Sequence, residues 1–393
     1  MSDLDDYLLM IPGPTGVSTR VRKVMSDPQI GHSSEEFQES FLELLNLTKE
    51  VFKTKTGYPF ILTGSGTVAM EAAVTSLIEQ GDRSLVLDTG HFARRFGMIL
   101  ESHGLDVDYL HFPFGNHADP KKLREHLSHD EYKAVFITHV DTSSTVMNSI
   151  SELVGEVKGA NALSIVDSVC GVGGCRVEFD KLQADVVISC SQKALAAPPG
   201  AAILMISQEG MRHLENRKTP IPSYYMNLKR WKELMDDPRR YLATPAVQVM
   251  LALLESFKMI ISEGMEERWS RHRRMAEAIR AGIEALGLEF IAEDGYRADT
   301  VTGFYVSTGK AASIRYTMKH EYNVEVARGF GDLRDDSLRV GHFGNISKKE
   351  VSAFLSGLEL TLAEFGSKVK EGVAVEAAVP FITPGLRQSR SAR

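Results

Sequence analysis

Residues 163–200 read LSIVDSVCGVGGCRVEFDKLQADVVISCSQKALAAPPG. Two short apolar runs, Leu163–Val166 and Val186–Ser189, predict buried strands, and each leads into a residue that burial does not favour. Asp167 directly follows the first run. An unpaired carboxylate is costly to bury there, so it either caps a helix or faces a cation. Lys193 follows the second run by four positions. A lysine held near a buried site can lose its proton and act as a Schiff-base nucleophile, although most lysines are simply solvated.

The same grammar extends in both directions. Further apolar runs at Tyr58–Leu62, Ser84–Leu87, Ala134–Thr138 and Ala201–Ile206 alternate with helical spacing such as Val68–Gln80 and Ile150–Lys158. Strands alternating with helices imply right-handed crossovers, hence an α/β fold with a mainly parallel sheet covered on both faces. Residues 211–245, rich in Arg, Lys and Pro, read as an irregular excursion. A long helix is expected from about Pro245 to Ile283, with Gly264 as a break point. Strands at Leu288–Ala292, Val301–Val306 and Ser337–Val340, with helices at Ala311–Lys319 and Lys348–Phe365, then describe a smaller α+β domain. The boundaries are drawn as an arm over 1–20, a large domain over 21–262, a small domain over 263–368 and a tail over 369–393. The tail, with Pro380, Pro384 and a basic end, is expected on the surface or partly disordered.

Composition narrows the function. The 393 residues carry 45 Lys+Arg against 52 Asp+Glu, a net charge of -7, without a basic run, so no nucleic-acid partner is expected. No stretch approaches the roughly 18 apolar residues of a spanning helix, so no membrane partner is expected either. Three cysteines cannot build a disulfide framework, and with no signal sequence the expectation is a reducing, cytoplasmic setting.

Ligands of open parallel sheets sit beyond the carboxyl ends of the strands. There the sequence offers TGSGT at Thr63–Thr67, where Ser65 and Gly66 open a helix whose N-terminus suits a phosphate. In isolation this turn is as well read as a plain connection. Phe92 in DTGHF can stack on a planar ring, or be ordinary core. Taken with Asp167 and Lys193, these meet the needs of pyridoxal phosphate: a phosphate cradle, a ring face, a carboxylate for the ring nitrogen and an amine for the aldehyde. No metal is expected, since His126 and His129 on a charged helix lack an acidic partner in a ligand pattern.

Over Ile11 to about Lys368 the chain resembles the class V aminotransferases of the alanine–glyoxylate and serine–pyruvate branch, fold type I pyridoxal phosphate enzymes. The likeness rests on SQKALAAPPG around Lys193, PGPTGVS near the start, GHSSEEF at Gly31–Phe37, TGSGTVAMEAA, THVDTSSTV at Thr138–Val146, VDSVCGVGG and SLRVGHFG at Ser337–Gly344. The resemblance implies a seven-stranded sheet and makes Lys193 the cofactor-bound lysine and proton shuttle. It makes Asp167 the partner of the pyridine nitrogen and Phe92 the stacking ring. Ser65, Gly66, Thr67 and Gln192 fall at phosphate-side positions, and Ser143 near the ring hydroxyl. Tyr241 and Thr244 would complete the neighbouring subunit's phosphate site, implying a homodimer. Arg339 would grip the substrate α-carboxylate, with Gly13 and Pro14 lining the mouth.

The implied reaction moves the amino group of alanine or serine to glyoxylate or pyruvate. The alternative is 2-aminoethylphosphonate–pyruvate transamination. Departures from the pattern (Ser33 for Arg, Glu35 for Pro, Val140 and Asp141 for Asn and Glu, Thr145 for Gly, Arg328 for Gly) gather near the pocket rim and bear on substrate. The cysteine desulfurases share this fold but need a cysteine on a loop of the smaller domain. Cys170, Cys175 and Cys190 all fall in the large one and read as packed thiols.

Overall fold

The computed structural model describes residues 7–368 and 370–383. Seven strands form the main sheet: β1 (Tyr58–Thr63), β2 (Arg83–Asp88), β3 (Asp106–His111), β4 (Ala134–Thr138), β5 (Leu163–Asp167), β6 (Val186–Cys190) and β7 (Ala201–Ile206), in the order β1-β7-β6-β5-β4-β2-β3. Strands β6, β5, β4, β2 and β3 are mutually parallel. Only β7 runs antiparallel to its neighbours. The two reversals at β7 restore the direction of β1, so the carboxyl ends of six strands share one edge. The register sets Thr138 beside Asp167, which fixes the depth at which that carboxylate emerges.

Strands β4 to β7 are buried along their whole length, as their unbroken apolar runs require of strands covered on both faces. Strand β3, DVDYLH, lies at the sheet edge with every residue at least partly exposed, and its alternating polar residues hid it from the sequence reading. Helix α1 (Glu35–Val51) covers β1 and packs on α5 (Val247–Glu263), and α4 (Ile150–Gly159) packs on β5. Helices α2 (Gly66–Leu77) and α3 (His91–Ser102) begin directly after β1 and β2. Their N-termini therefore open on the same edge as Asp167.

The single long helix expected from Pro245 is two helices, α5 and α6 (Met265–Ala285), broken at Gly264 with φ +83. That left-handed backbone is one only glycine adopts readily. A second apolar core gathers α6, β8 (Val301–Tyr305), α7 (Ala311–His320), β10 (Ser337–Gly341) and α8 (Lys348–Glu364), with Met10 of the N-terminal segment buried in it. Between these, the short strand β9 (Ala327–Arg328) pairs with β10. The division between the two cores falls inside α6, since Trp269 belongs to the first and Met275 to the second.

Three expectations are corrected. The stretch 211–245 is not irregular throughout: it holds the end of the helix Gln208–Glu215 and all of the helix Leu228–Asp236, whose Trp231 is 2% exposed. Each keeps a helical period but buries only three residues, Gly210, Met211 and Leu214 in the first and Leu228, Trp231 and Met235 in the second, a face too narrow to stand out among the prolines. Leu288–Ala292 forms no strand, only an isolated bridge from Phe290 to Phe304. Part of the tail is ordered: helix α9 (Val373–Ile382) buries Ala374 and Ala378 against the second core, and Glu359 of α8 accepts a hydrogen bond from Ala374 N at 2.9 Å. Residues 384–393 lie outside the described residues.

Candidate active site

At the carboxyl edge of the sheet, facing β9 and β10, lies a cleft of about 570 Å³. Lys193, Phe92, Gly13, Thr142, Phe330 and Arg339 contribute to its walls. Lys193 Nζ donates to the Pro12 carbonyl and lies 5.7 Å from the centre of the Phe343 ring. Gly13, with φ +94, passes so close that a Cβ there would stand 2.5 Å from Nζ. The N-terminal segment is thus laid directly against the lysine.

At the end of β5, Asp167 is buried and accepts a hydrogen bond from Val169 N at 2.8 Å. Burial pushes its carboxyl up to about 6, the Val169 N–H pulls it down and Asp141 pushes it up. The positive charges of Arg95 and Lys193 oppose the rise. A buried carboxylate so placed is stabilised by a cation approaching from the cleft.

Two helix N-termini meet this edge, and they differ. That of α3 is closed: Asp141 Oδ2 accepts from Phe92 N at 3.0 Å and Ala93 N at 3.1 Å, while Ser143 Oγ accepts from His91 N at 2.8 Å and donates to Asp141 at 2.5 Å. That of α2 is open: Ser65, at the N-cap, makes no side-chain capping bond and is exposed. Its unpaired N–H groups and hydroxyl form an anion cradle. Arg95 bridges the two helices, with Nη1 3.3 Å from Thr67 Oγ1 and its guanidinium 4.7 Å from the centre of the Phe92 ring. An anion cradle, an aromatic face, a buried carboxylate and an amine suit a phosphorylated pyridine aldehyde, so these residues fit pyridoxal phosphate.

Arg339, on β10, is 8% exposed. Its Nε donates to Arg328 O at 2.9 Å and Nη1 to Thr142 O at 2.7 Å, with the Phe330 ring 5.2 Å away. These bonds aim the guanidinium into the cleft. Burial lowers its pKa to about 10, which leaves it charged at neutral pH.

Gln192 is half-buried beside Lys193, and its carbonyl accepts from Thr15 N at 3.0 Å. Pro14 stands next to Gly13 but does not line the cleft. Tyr241 and Thr244 are both exposed, their hydroxyls 3.1 Å apart. Tyr241 borders a separate pocket with His32 and Trp231, which shares no residue with the Lys193 cleft. Within one chain these two are therefore not brought to the site. The three cysteines are buried free thiols, and burial pushes Cys170 up to about 11 and Cys190 up to about 12.

Sequence reasoning gave Asp141 no role beyond a departure near the pocket rim, although it follows the run at β4 by three positions, the same signal that exposed Asp167. It passed over Phe330 and Arg268 altogether. Phe330 tilts against His91 and Phe92, with ring centroids 4.4 and 6.0 Å away, and no local pattern marks it. Arg268, 1% exposed on α6, donates to Gly173 O at 2.8 Å, to Ala194 O at 2.5 Å and to Glu263 at 2.7 Å. It thereby ties together the loops that follow β5 and β6.

Fold and cleft together define a transferase built around an amine-bearing lysine at a sheet edge. The class-V aminotransferase profile matches residues 20–331, and the chain belongs to that family. It is 36% identical to an uncharacterized aminotransferase of Methanocaldococcus jannaschii, over 95% of this chain and 97% of that one. It is 32% identical to alanine–glyoxylate aminotransferase 1 of Saccharomyces cerevisiae, over 86% and 91%. The crystal structure of ureidoglycine–glyoxylate aminotransferase from Bacillus subtilis superposes with a TM-score of 0.92 at 29% identity, covering 95% of this chain and 97% of that one.

The contact between Gly13 and Lys193 yields a prediction. Gly13→Ala places a methyl group in the lysine's path and should lower aminotransferase activity by more than about tenfold by displacing the amine. The left-handed backbone adds strain of only about 1 kcal/mol, which in a chain of 393 residues should lower the melting temperature by only about 1–2 °C. Steady-state rates and a thermal melt on the same sample separate the two effects.

Proposed function

We propose that this aminotransferase uses pyridoxal phosphate, works as a homodimer, and moves the amino group of a small amino acid, alanine or serine, to glyoxylate or pyruvate. One observation carries the reading: Lys193 and Arg339 line one cleft, and the charge of Lys193 acts on a buried carboxylate, Asp167. The glyoxylate-using relatives support the acceptor.

When bound, the cofactor supplies an electron sink for the bond broken at the substrate α-carbon. Asp167 would hold a proton on its ring nitrogen, and Phe92 would supply the stacking ring. Ser65, Gly66, Thr67 and Gln192 would hold the phosphate, joined by Tyr241 and Thr244 of the partner subunit, with Ser143 serving the ring hydroxyl. Arg339 binds the α-carboxylate through its planar fork and so orients the α-hydrogen toward Lys193, whose amine takes that proton and returns it. Gly13 borders the entrance and limits water.

Half-reactions with alanine, serine and 2-aminoethylphosphonate, followed by the loss of visible absorbance and its return on adding glyoxylate or pyruvate, test the reading. Turnover of the phosphonate alone would overturn it. Arg339→Lys should raise KM for the amino acid by about 10- to 100-fold through loss of the bidentate contact. Cofactor affinity should hardly change. Equal losses of both would place the carboxylate clamp elsewhere.

A further inference from the structure

The charges around the cleft exceed what alanine or serine can use. Five cationic side chains line it (Lys193, Arg315, Arg328, Arg334 and Arg339) against one carboxylate, Glu325. Glu325 is already committed, with one oxygen 3.0 Å from Arg315 Nη2 and the other 3.0 Å from Lys319 Nζ. Arg315 is further fixed by its bond to Val326 O at 3.0 Å. That leaves two guanidiniums at the outer end of the cleft. Among the described residues Arg328 pairs only with Asp335, at 2.9 Å, and the Asp335 side chain is 68% exposed. Such an open pair is weak and exchanges readily with another anion. Among the described residues, the Arg334 side chain meets no hydrogen bond or ion pair.

The position of Arg328 is also tied to Arg339. Its carbonyl accepts from Arg339 Nε, and β9 lies directly against β10, with Ala327 opposite Arg339. Arg328 and Arg334 thus share with Arg339 the cleft that a substrate held at its α-carboxylate would enter. A methyl or hydroxymethyl group offers nothing to either. We propose that Arg328 and Arg334 form a subsite for a second anionic group, so that the preferred amino donors are amino acids bearing a side-chain carboxylate, phosphonate or similar anion. This rests on the aminotransferase reading above and deepens its choice of donor, ranking acidic amino acids ahead of alanine and serine.

The test compares kcat/KM of the holoenzyme for alanine, aspartate, glutamate and 2-amino-3-phosphonopropionate with one shared acceptor. In parallel, binding of the unreactive succinate and propionate is measured by calorimetry. The acidic donors should exceed alanine by about tenfold or more, and succinate should bind about tenfold more tightly than propionate. Arg328→Gln and Arg334→Gln should each shrink both ratios, and Arg328→Lys should restore part of them. The carboxylate and phosphonate arms show which anion fits. Ratios that stay near one in the wild type, or stay unchanged in both glutamine variants, overturn the subsite while alanine turnover leaves the aminotransferase reading standing. Failure of every donor overturns both.

Discussion

Lys193→Ala should lower transamination by at least about 10⁴-fold, because two roles vanish with one amine: attachment of the cofactor and proton transfer at the substrate α-carbon. The fold should survive. Lys193 is only half-buried, and its removal leaves the Pro12 carbonyl without its partner at the edge of an open cleft, a cost of about 1 kcal/mol. Borohydride reduction followed by peptide mass analysis reads the attachment directly. Cofactor still trapped on the variant chain would mean that another lysine does the work. A small primary amine added to the buffer should return part of the rate, since the truncated side chain leaves space beside Gly13 for it.

Asp167→Asn carries the second large effect, and it acts in opposite directions on activity and stability. Without the carboxylate the ring nitrogen loses its charged partner, and kcat should fall by about 10²- to 10³-fold. Stability of the cofactor-free protein should instead rise. The folded pKa, about 6, lies above the ordinary value of 3.8. The folded state therefore holds an extra proton between about pH 4 and 6. The wild type loses stability as pH rises through that window, by about 3 kcal/mol once the carboxylate is fully charged. Asparagine removes the loss, so denaturant melts of wild type and variant should diverge above pH 6 and converge toward pH 4. With cofactor bound the order should reverse, because its cation compensates the buried charge. A variant that melts with the wild type's pH dependence would show that Asp167 is not the group titrating there.

How far the sequence alone carried this can be read from particular residues. Every strand buried on both faces announced itself as an unbroken apolar run, and the residues just past those runs, Asp167 and Lys193, were legible because charge there has few innocent explanations. The edge strand β3 was not, since half-exposed alternation resembles a loop. The helices at 208–215 and 228–236 were masked by prolines around them and by narrow apolar faces. Arg328 showed only as a departure from the family pattern near the rim, while Phe330 and Arg334, on the loop after β9, carry no local mark that relates them to Lys193. Only the pairing of β9 with β10 places them opposite it. Arg268 was illegible for a different reason: within a helix as charged as α6, a buried arginine looks like all the exposed ones.

That arginine has a consequence for how such a chain can change over time. By clasping Gly173 O and Ala194 O from one guanidinium, Arg268 keeps the loops behind Asp167 and Lys193 in fixed relation from outside the cleft. The outer wall, by contrast, hangs on the two-residue strand β9 and the loop that follows it. Specificity and chemistry are thus built on separable modules. Drift in a handful of rim residues can retune which molecule enters while the reactive spacing stays calibrated, a form of evolvability written into the architecture.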